Sequence, residues 1–196
     1  PQVHVDIVTD GRLSDIVGGG FDAGIRLAEA VPRDMVSVPL MDSLRFAVVA
    51  SPAYLAARGR PATPQDLYRH DCIRFRFDSG ALYHWEFARR GATERIAVRG
   101  RLTLTDQPLM VDAAVDGIGL AFVPDHLVVD AVREGRLERV LDDWCPPMPG
   151  LCLYYPGHRH VSTGLRALIA AIHAGRSPSR SIEQPQRIRS KRRAET

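Results

Sequence analysis

The stretch that decides the fold runs Val8-Thr-Asp-Gly-Arg-Leu-Ser-Asp-Ile-Val-Gly-Gly-Gly-Phe-Asp-Ala-Gly-Ile-Arg26. Thr9 or Asp10 can cap a short helix, because both residue types accept hydrogen bonds from free backbone amides. Glycines 18–20 predict the end of that helix, and residues 22–27 then read as a short buried strand. The segment therefore predicts a helix that leads directly into a strand.

The rest of the chain repeats this alternation. Val48-Val-Ala-Ser-Pro-Ala-Tyr-Leu55 predicts a strand whose following helix is capped by Ser51 and ended by Gly59. Val3, Val5 and Ile7 alternate with polar residues, which predicts a half-buried strand. We expect further strands at residues 44–50, 73–77, 119–123, 137–141 and 151–155, a hairpin at 83–90 and 94–105 around Gly91, and helices beginning at Thr63, at Thr105 or Asp106, at Asp125 and at Ser162. The pattern predicts an α/β fold with mixed, mostly parallel sheets and crossover helices.

Composition sets broad limits on the class of protein. The 196 residues are 45% hydrophobic and 25% charged, which is ordinary for a globular domain. No apolar run approaches the roughly 20 residues that cross a bilayer, and no signal peptide precedes the first strand, so we expect a cytoplasmic protein without a membrane partner. The three cysteines show no Cys-x-x-Cys spacing, which argues against a disulfide framework or a zinc site.

The net charge of +3 is unevenly distributed along the chain. Residues 176–196 carry seven basic against two acidic side chains, a net +5, which leaves −2 for the residues before them. The folded part is therefore slightly acidic and does not present a basic nucleic-acid surface. We expect residues 176–196 to form a basic disordered tail.

Catalytic and cofactor motifs are weak throughout. Glycines 18–20 lack the Lys-Ser/Thr pair of a phosphate-binding loop, so a helix exit is the favoured interpretation. His158 and His160 flank Arg159 without a ligand partner at metal spacing, and Asp142-Asp143 reads as a solvated turn. We expect no catalytic residue, no metal and no cofactor.

Three positions suggest a binding site instead. Arg26 ends a buried strand, where an arginine can clamp a carboxylate or serve as a surface charge or structural ion pair. Arg74 and Arg76 share one strand face, so either could meet a ligand, or both could face solvent. The start of the helix near Thr105 and Asp106 offers free amides to an anion, unless Asp106 only caps the helix. In that case Thr105 and the backbone are the better ligand candidates.

Several ordered motifs together resemble the effector-binding domain of LysR-type transcriptional regulators. Single motifs are weak, but their order and spacing are specific, and they run from Pro1 to about Gly175. The matching segments are Gly20-Phe-Asp-Ala-Gly-Ile-Arg26, Val48-Val-Ala-Ser-Pro-Ala-Tyr-Leu55, Gly59-Arg-Pro, Asp66-Leu, His70-Asp-Cys72, Trp85-Glu-Phe87, Gly100-Arg-Leu, Asp116-Gly-Ile-Gly-Leu-Ala-Phe-Val-Pro124, Gly135-Arg-Leu-Glu-Arg-Val-Leu141, Trp144-Cys-Pro-Pro147 and Tyr154-Tyr-Pro156.

The resemblance implies a two-lobed, periplasmic-binding-protein-like domain joined by two hinge strands. Lobe one would comprise residues 1–47 plus 150–175, without the family's first strand and helix, and lobe two residues 48–149. The hinge strands would be residues 48–50 and 151–155. Carried over by position, the cleft between the lobes would be lined by Thr9, Arg26, Phe75, Arg76, Thr105 and Phe122, with the two phenylalanines as apolar walls.

The resemblance also implies a function. We expect the sensing and oligomerisation domain of a bacterial DNA-binding regulator, which binds a small anionic metabolite and acts as a homodimer or homotetramer. Promoter DNA would be bound by a winged helix-turn-helix that is not among these residues. A free-standing solute-binding protein without a DNA role is the alternative, and a small α/β enzyme is a third possibility.

Overall fold

The computed structural model describes residues 3–8, 16, 18–157 and 161–175. Along this length the strands occur in runs of up to four, and single α-helices separate the runs. Short 3₁₀ turns occupy Ala28–Ala30, Pro64–Arg69, Asp125–Leu127 and Asp142–Trp144. The strands are β1 (Gly24–Leu27), β2 (Met35–Pro39), β3 (Ser43–Leu44), β4 (Phe46–Ala50), β5 (Arg74–Phe75), β6 (Trp85–Arg89), β7 (Ala92–Ile96), β8 (Thr103–Leu104), β9 (Ala121–Pro124), β10 (Glu138–Val140), β11 (Met148–Pro149) and β12 (Leu151–Pro156), and the helices are α1 (Pro52–Arg58), α2 (Gln107–Val115), α3 (Val129–Arg133) and α4 (Thr163–Gly175).

The helix starts follow the predicted capping residues. The Ser51 hydroxyl accepts a hydrogen bond from the Tyr54 amide at 3.3 Å, and Asp106 accepts one from the Leu109 amide at 2.9 Å. Ser162 caps α4 in the same way, and a reciprocal capping box opens the turn after Thr63. The hydrogen bonds confirm these caps. Sequence alone predicts them because each cap depends only on neighbouring residues.

The glycines at 18–20 have the geometry of a helix exit. The Phe21 amide donates to the Ile16 carbonyl at 3.0 Å, and Gly20 has a φ of +75°. This six-residue closure with a left-handed glycine is typical of the end of an α-helix, which favours the helix exit over a phosphate loop. The helix predicted before it lies mostly outside the described residues.

One sheet, here called the central sheet, has the order β10-β4-β9, with both ladders antiparallel. A parallel bridge between Cys72 and Leu120 continues it toward the parallel pair β5 and β8. Side chains of β4 alternate between its two faces. Ala47 and Val49 pack under α2 and α3, whereas Val48 and Ala50 pack under α1 and the β6–β7 hairpin.

The second sheet, here called the terminal sheet, has the order β1-β12-β2, again antiparallel. Val38 and Leu153 lie side by side on one face and pack against Leu165 of α4. The helix adds half-buried apolar residues to this cluster at the spacing predicted for its inner face. The cluster is much smaller than those of the central sheet.

The chain passes between the two sheets through β3 and β11, which pair with each other. Arg45 reinforces this crossing, because its Nε donates to the Cys145 carbonyl at 2.9 Å and its Nη2 pairs with Asp142 at 3.1 Å. The predicted hinge strands, residues 48–50 and 151–155, instead form the middle strands of the two sheets. Their strong apolar character reflects burial on both faces. The division of the chain into lobes at residues 47/48 and 149/150 stays a prediction.

Strand direction differs from the prediction of mostly parallel sheets. Among the described residues, the parallel pairings are β5 with β8 and the Cys72–Leu120 bridge, and the other ladders are antiparallel. The strand β4 follows β3, and β12 follows β11, so both begin beside the crossing. Each is the middle strand of its sheet, and both of its neighbours run antiparallel to it. Alternation of strands and helices along the sequence does not reveal this arrangement.

One further local prediction was wrong, and one strand was not predicted. Residues 3–8 form no ladder in the described structure, and Val5 and Ile7 are 48% and 77% exposed. Periodicity predicts a strand, but a strand also needs a neighbour to pair with. Conversely, β2 was not predicted, because Pro39 and the exposed Val36 obscure its pattern. It is an edge strand, where proline is tolerated.

Candidate functional site

The predicted site residues fall in three separate places. Arg26 lies on β1 of the terminal sheet, and Phe122 lies inside the core above the central sheet. Phe75, Arg76 and Thr105 lie together at the carboxyl ends of the parallel strands β5 and β8. Carboxyl ends of parallel strands are a favoured ligand location in α/β folds. Thr9 lies outside the described residues.

Arg26 has a structural contact. Its guanidinium carbon lies 4.9 Å from the centroid of the Tyr154 ring, within cation–π range. Tyr154 also covers Gly24, where an added Cβ would meet the ring at 2.6 Å. The Gly-x-Arg spacing thus fits one aromatic ring, with the glycine leaving room for it and the arginine lying over it. Arg26 remains half-buried at the edge of the terminal sheet.

The group at the ends of β5 and β8 combines apolar and polar side chains. Phe75 is half-buried and meets Phe77 edge-on, with ring centroids 5.4 Å apart. Arg76 is exposed and donates from Nη1 to the Gly80 carbonyl at 2.9 Å, which braces the loop that follows β5. Thr105 is exposed at the end of β8. The structure therefore brings three of the predicted residues to one edge.

Arg74 is the alternative that the sequence left open, and the structure distinguishes it from Arg76. Arg74 is half-buried on β5, opposite Thr103 of β8. Its Nε is buried without a hydrogen-bond partner. Within the described part of the chain, no carboxylate pairs with its guanidinium. Buried polar groups without partners are rare and call for an explanation.

The start of α2 is a weaker anion site than the sequence suggested. The Asp106 carboxylate already occupies it by accepting from the Leu109 amide. Pro108, one of the two residues between them, has no backbone N–H to donate. Capping by Asp106 therefore removes most of the amides that an anion would need, and its charge would repel one.

Phe122 is a core residue in this structure. Only 4% of it is exposed, and four other rings surround it. Its centroid distances to these rings are 5.1 Å to Phe46, 6.2 Å to Tyr83, 5.4 Å to Trp85 and 5.5 Å to Phe87. Such a cluster stabilises the packing of the hairpin on the central sheet. We therefore leave Phe122 out of the proposed binding surface.

The motif His70-Asp-Cys72 serves the fold. The Tyr54 hydroxyl donates to the Asp71 carbonyl at 3.3 Å, accepts from the Asp71 amide at 3.0 Å, and contacts His70 Nδ1 at 3.2 Å. Burial lowers the pKa of His70 and raises the pKa of the Cys72 thiol to about 12. The segment anchors α1 against the central sheet, and its thiol is not activated for nucleophilic chemistry.

Within the described residues, no group of three His, Cys, Asp or Glu side chains could hold a metal ion. None of the helices in the same part of the chain is long and apolar enough to cross a membrane. The most distinctive polar arrangement is thus the edge formed by β5 and β8, with Arg74, Phe75, Arg76 and Thr105. Such an edge can hold a small anionic or polar ligand against aromatic rings.

Two sheets joined by two crossing strands define the two-lobed α/β class typified by periplasmic binding proteins. Residues 1–176 match the family model described as the LysR substrate binding domain. The chain belongs to the LysR family of transcriptional regulators. This confirms the resemblance and the α/β two-lobed fold class expected from the sequence.

Relatives of the chain are transcriptional regulators by name. A putative transcriptional regulator of Pseudomonas aeruginosa is 40% identical over 93% of this chain and 60% of its own length. The Escherichia coli regulator YcaN is 38% identical over 95% of this chain and 61% of its own length. The chain thus spans about 60% of these relatives, whose names point to a regulatory rather than an enzymatic role.

Solved structures show the same fold. Full-length AphB, a Vibrio cholerae virulence activator, has a TM-score of 0.72 at 20% identity, covering 87% of this chain and 57% of that one. The regulatory domain of CrgA from Neisseria meningitidis has a TM-score of 0.62 at 24% identity, covering 80% of this chain and 76% of that one. At these identities the likeness establishes the architecture alone.

Proposed function

We propose that this chain is the effector-sensing and oligomerisation part of a cytoplasmic, bacterial LysR-type regulator. The observation that carries the proposal is the family match over residues 1–176 together with two sheets connected through β3 and β11. Two bodies on two connections can change their relative pose with little rearrangement inside either body. A ligand that favours one pose would then shift the population of the whole regulator.

The proposed binding surface lies between the two sheets. Phe75, Arg76 and Thr105 contribute from the ends of β5 and β8, and Arg26 contributes from β1. Thr9 belongs to the same proposal through its place in the family motif. Arginines offer planar donors to a carboxylate or phosphate, and Phe75 offers an apolar wall. The effector is thus a small anionic metabolite.

The response would reach DNA through a winged helix-turn-helix in the longer protein. The relatives extend well beyond the aligned part, which leaves room for such a domain. A homodimer or homotetramer would position two of these domains on a promoter site with two-fold character. The sheets described above would act as the sensor, and catalysis would play no part.

The test uses the full-length protein and DNA from around its gene. DNase footprinting should show a protected site with two-fold character, and a small-molecule pool from the host should change the protected length. Phe75→Ala should abolish that change while leaving DNA binding intact. Leu109→Ala on α2, which is 54% exposed, is the matched control and should respond normally. A full-length protein that binds no DNA at any salt concentration would refute the proposal.

A further inference from the structure

Arg74 differs from the other arginines of the described chain. Most of those form ion pairs or lie exposed on the surface, as Arg139 does with Asp125 at 2.7 Å and Arg45 with Asp142. Arg74 is half-buried, its Nε is buried without a partner, and no described carboxylate pairs with it. The described part of the fold therefore takes a cationic group partly out of water without supplying a counterion.

Its place in the sheet defines what surrounds it. Side chains alternate along a strand, so Arg74 lies on the face opposite Ile73 and Phe75, which pack toward α2. It shares its face with Cys72 and with Thr103 of β8. The ends of these strands are also where the ligand surface is proposed. Arg76 starts from the same face but is exposed, so Arg74 is the more buried of the two arginines.

An unpaired buried donor destabilises the ligand-free protein, because it loses hydrogen bonds to water and gains none. Such a group calls for a partner, and an ordered water, an ion or a ligand can supply it. The planar guanidinium matches the two oxygens of a carboxylate. The Arg74 guanidinium can hold one carboxylate, and the charge of Asp106 at the start of α2 disfavours a second negative group beside it.

We propose that Arg74 binds the carboxylate group of the effector, which makes the effector a monoanionic carboxylic acid with an apolar body. This inference rests on the proposed function, because it assigns the ligand class to the proposed site. Tyr83, half-buried against the cluster that Cys72 joins on Arg74's face of the strand, supplies the apolar contact. Thr103, opposite Arg74 in the ladder, supplies a hydroxyl.

The first test measures binding of simple probes to the full-length protein by thermal shift and calorimetry. The probes are benzoate, its neutral isostere benzamide, acetate and inorganic phosphate. Benzoate should raise the melting temperature more than acetate, and benzamide should have no effect. Arg74→Met should weaken benzoate binding by about tenfold or more, the size of one charge-assisted hydrogen bond. Arg99→Met, at an exposed arginine, should bind benzoate like the unaltered protein.

The second test separates a ligand role from a structural one. Without any ligand, Arg74→Met should be as stable as the unaltered protein or more stable, because it removes an unpaired buried donor. A structural arginine would show a loss of stability instead. Equal benzoate binding by Arg74→Met, a clear loss of its ligand-free stability, or a shift with phosphate and none with benzoate would each overturn the proposal.

Footprinting on promoter DNA keeps this inference separable from the function it rests on. Carboxylate binding that depends on Arg74, in a protein that never binds DNA, would refute the proposed function and leave the ligand assignment standing. A DNA-binding protein whose response to its effector is unchanged in Arg74→Met would refute the ligand assignment alone.

Discussion

The central and terminal sheets are built from similar strands but are stabilised to different extents. The central sheet is covered on both faces, and Val48, Val49 and Val123 on it are completely buried. The terminal sheet relies on one small cluster around Leu153, and Ile25 on its edge strand is 55% exposed. Because buried apolar area dominates stability, the central sheet should hold most of the folding free energy. The terminal sheet should therefore unfold before the central sheet.

The largest expected effect comes from deleting the centre of the aromatic cluster. Phe122→Ala removes a ring that contacts four others and leaves a cavity that the rigid sheet cannot fill. We expect a loss of about 4–5 kcal/mol of unfolding free energy, the upper range for such substitutions. Urea denaturation followed by tryptophan fluorescence measures it, because Trp85 belongs to the cluster.

The matched change in the terminal sheet is Leu153→Ala, at a residue that is 3% exposed. Fewer fully buried side chains surround it, so a loss of about 2–3 kcal/mol is expected. An equal or larger loss than that of Phe122→Ala would show that the two sheets contribute alike, contrary to the comparison.

Substitutions of one glycine near each sheet should give the next largest difference in unfolding free energy. An added Cβ at Gly100 would lie 1.9 Å from the Cys72 carbonyl oxygen, which is rigid backbone of the central region. The same change at Gly24 meets only the Tyr154 ring, at 2.6 Å, and a ring can rotate aside. We expect Gly100→Ala to cost about 3 kcal/mol and Gly24→Ala about 1 kcal/mol, the range for overpacked sites. Circular-dichroism melting curves compare the two, and a more damaging Gly24→Ala would show that the ring cannot move.

Features that depend on a few neighbouring residues were predictable from sequence. Ser51, Asp106 and Ser162 cap their helices as expected, because a cap needs only a short polar side chain before an amide. The hairpin turn was predictable from Gly91, whose φ of +82° follows a left-handed Arg90. Family motifs then supplied the two-lobed architecture, which local pattern alone could not.

Features that depend on distant partners were not predictable in the same way. The sequence indicates that residues 48–50 and 151–155 are strongly apolar. It does not indicate that each segment lies between two antiparallel strands. Phe122 has the same apolar character in a core as it would have on a cleft wall. The isolation of Arg74 becomes visible only when the acidic residues around it are placed in space. The chemical types at the candidate site were therefore predictable, whereas their partners were not.

The three cysteines offer a direct comparison of opening in the two sheets. Cys72 and Cys145 pack by the central sheet, and Cys152 lies in β12 of the terminal sheet, each at most 5% exposed. We expect none of the three to react rapidly with a thiol reagent in native buffer. When the protein opens locally, Cys152 should be labelled about tenfold faster than Cys72 and Cys145, which corresponds to a difference of about 1.4 kcal/mol in opening free energy. Labelling rates read by mass spectrometry assign each site.

The pKa values of Cys72 and Cys145, which burial raises to about 12, keep both thiols protonated in the native state. Once a region opens, its thiols regain their ordinary pKa, so the ratio of rates under mild denaturant reports opening. A Cys152→Ser variant identifies the fast phase. Labelling of Cys72 before Cys152 would reverse the comparison between the sheets.

The smallest expected effect is a pH-dependent one at the capping box beside the central sheet. Asp66 Oδ2 accepts hydrogen bonds from the Thr63 and Ala62 amides at 2.8 and 3.0 Å, which lowers the pKa of this carboxyl below its usual value. A lowered folded pKa means that the stabilisation is fully present above the unfolded pKa of about 3.9 and is lost as pH falls through the folded pKa. Asp66→Asn should therefore cost about 0.5–1 kcal/mol near pH 7 and progressively less below about pH 4.

Asp34→Asn, at an exposed carboxylate, is the control and should show no such convergence. A constant difference between Asp66→Asn and the unaltered protein from pH 7 to pH 3 would mean that the carboxylate charge contributes nothing to the cap.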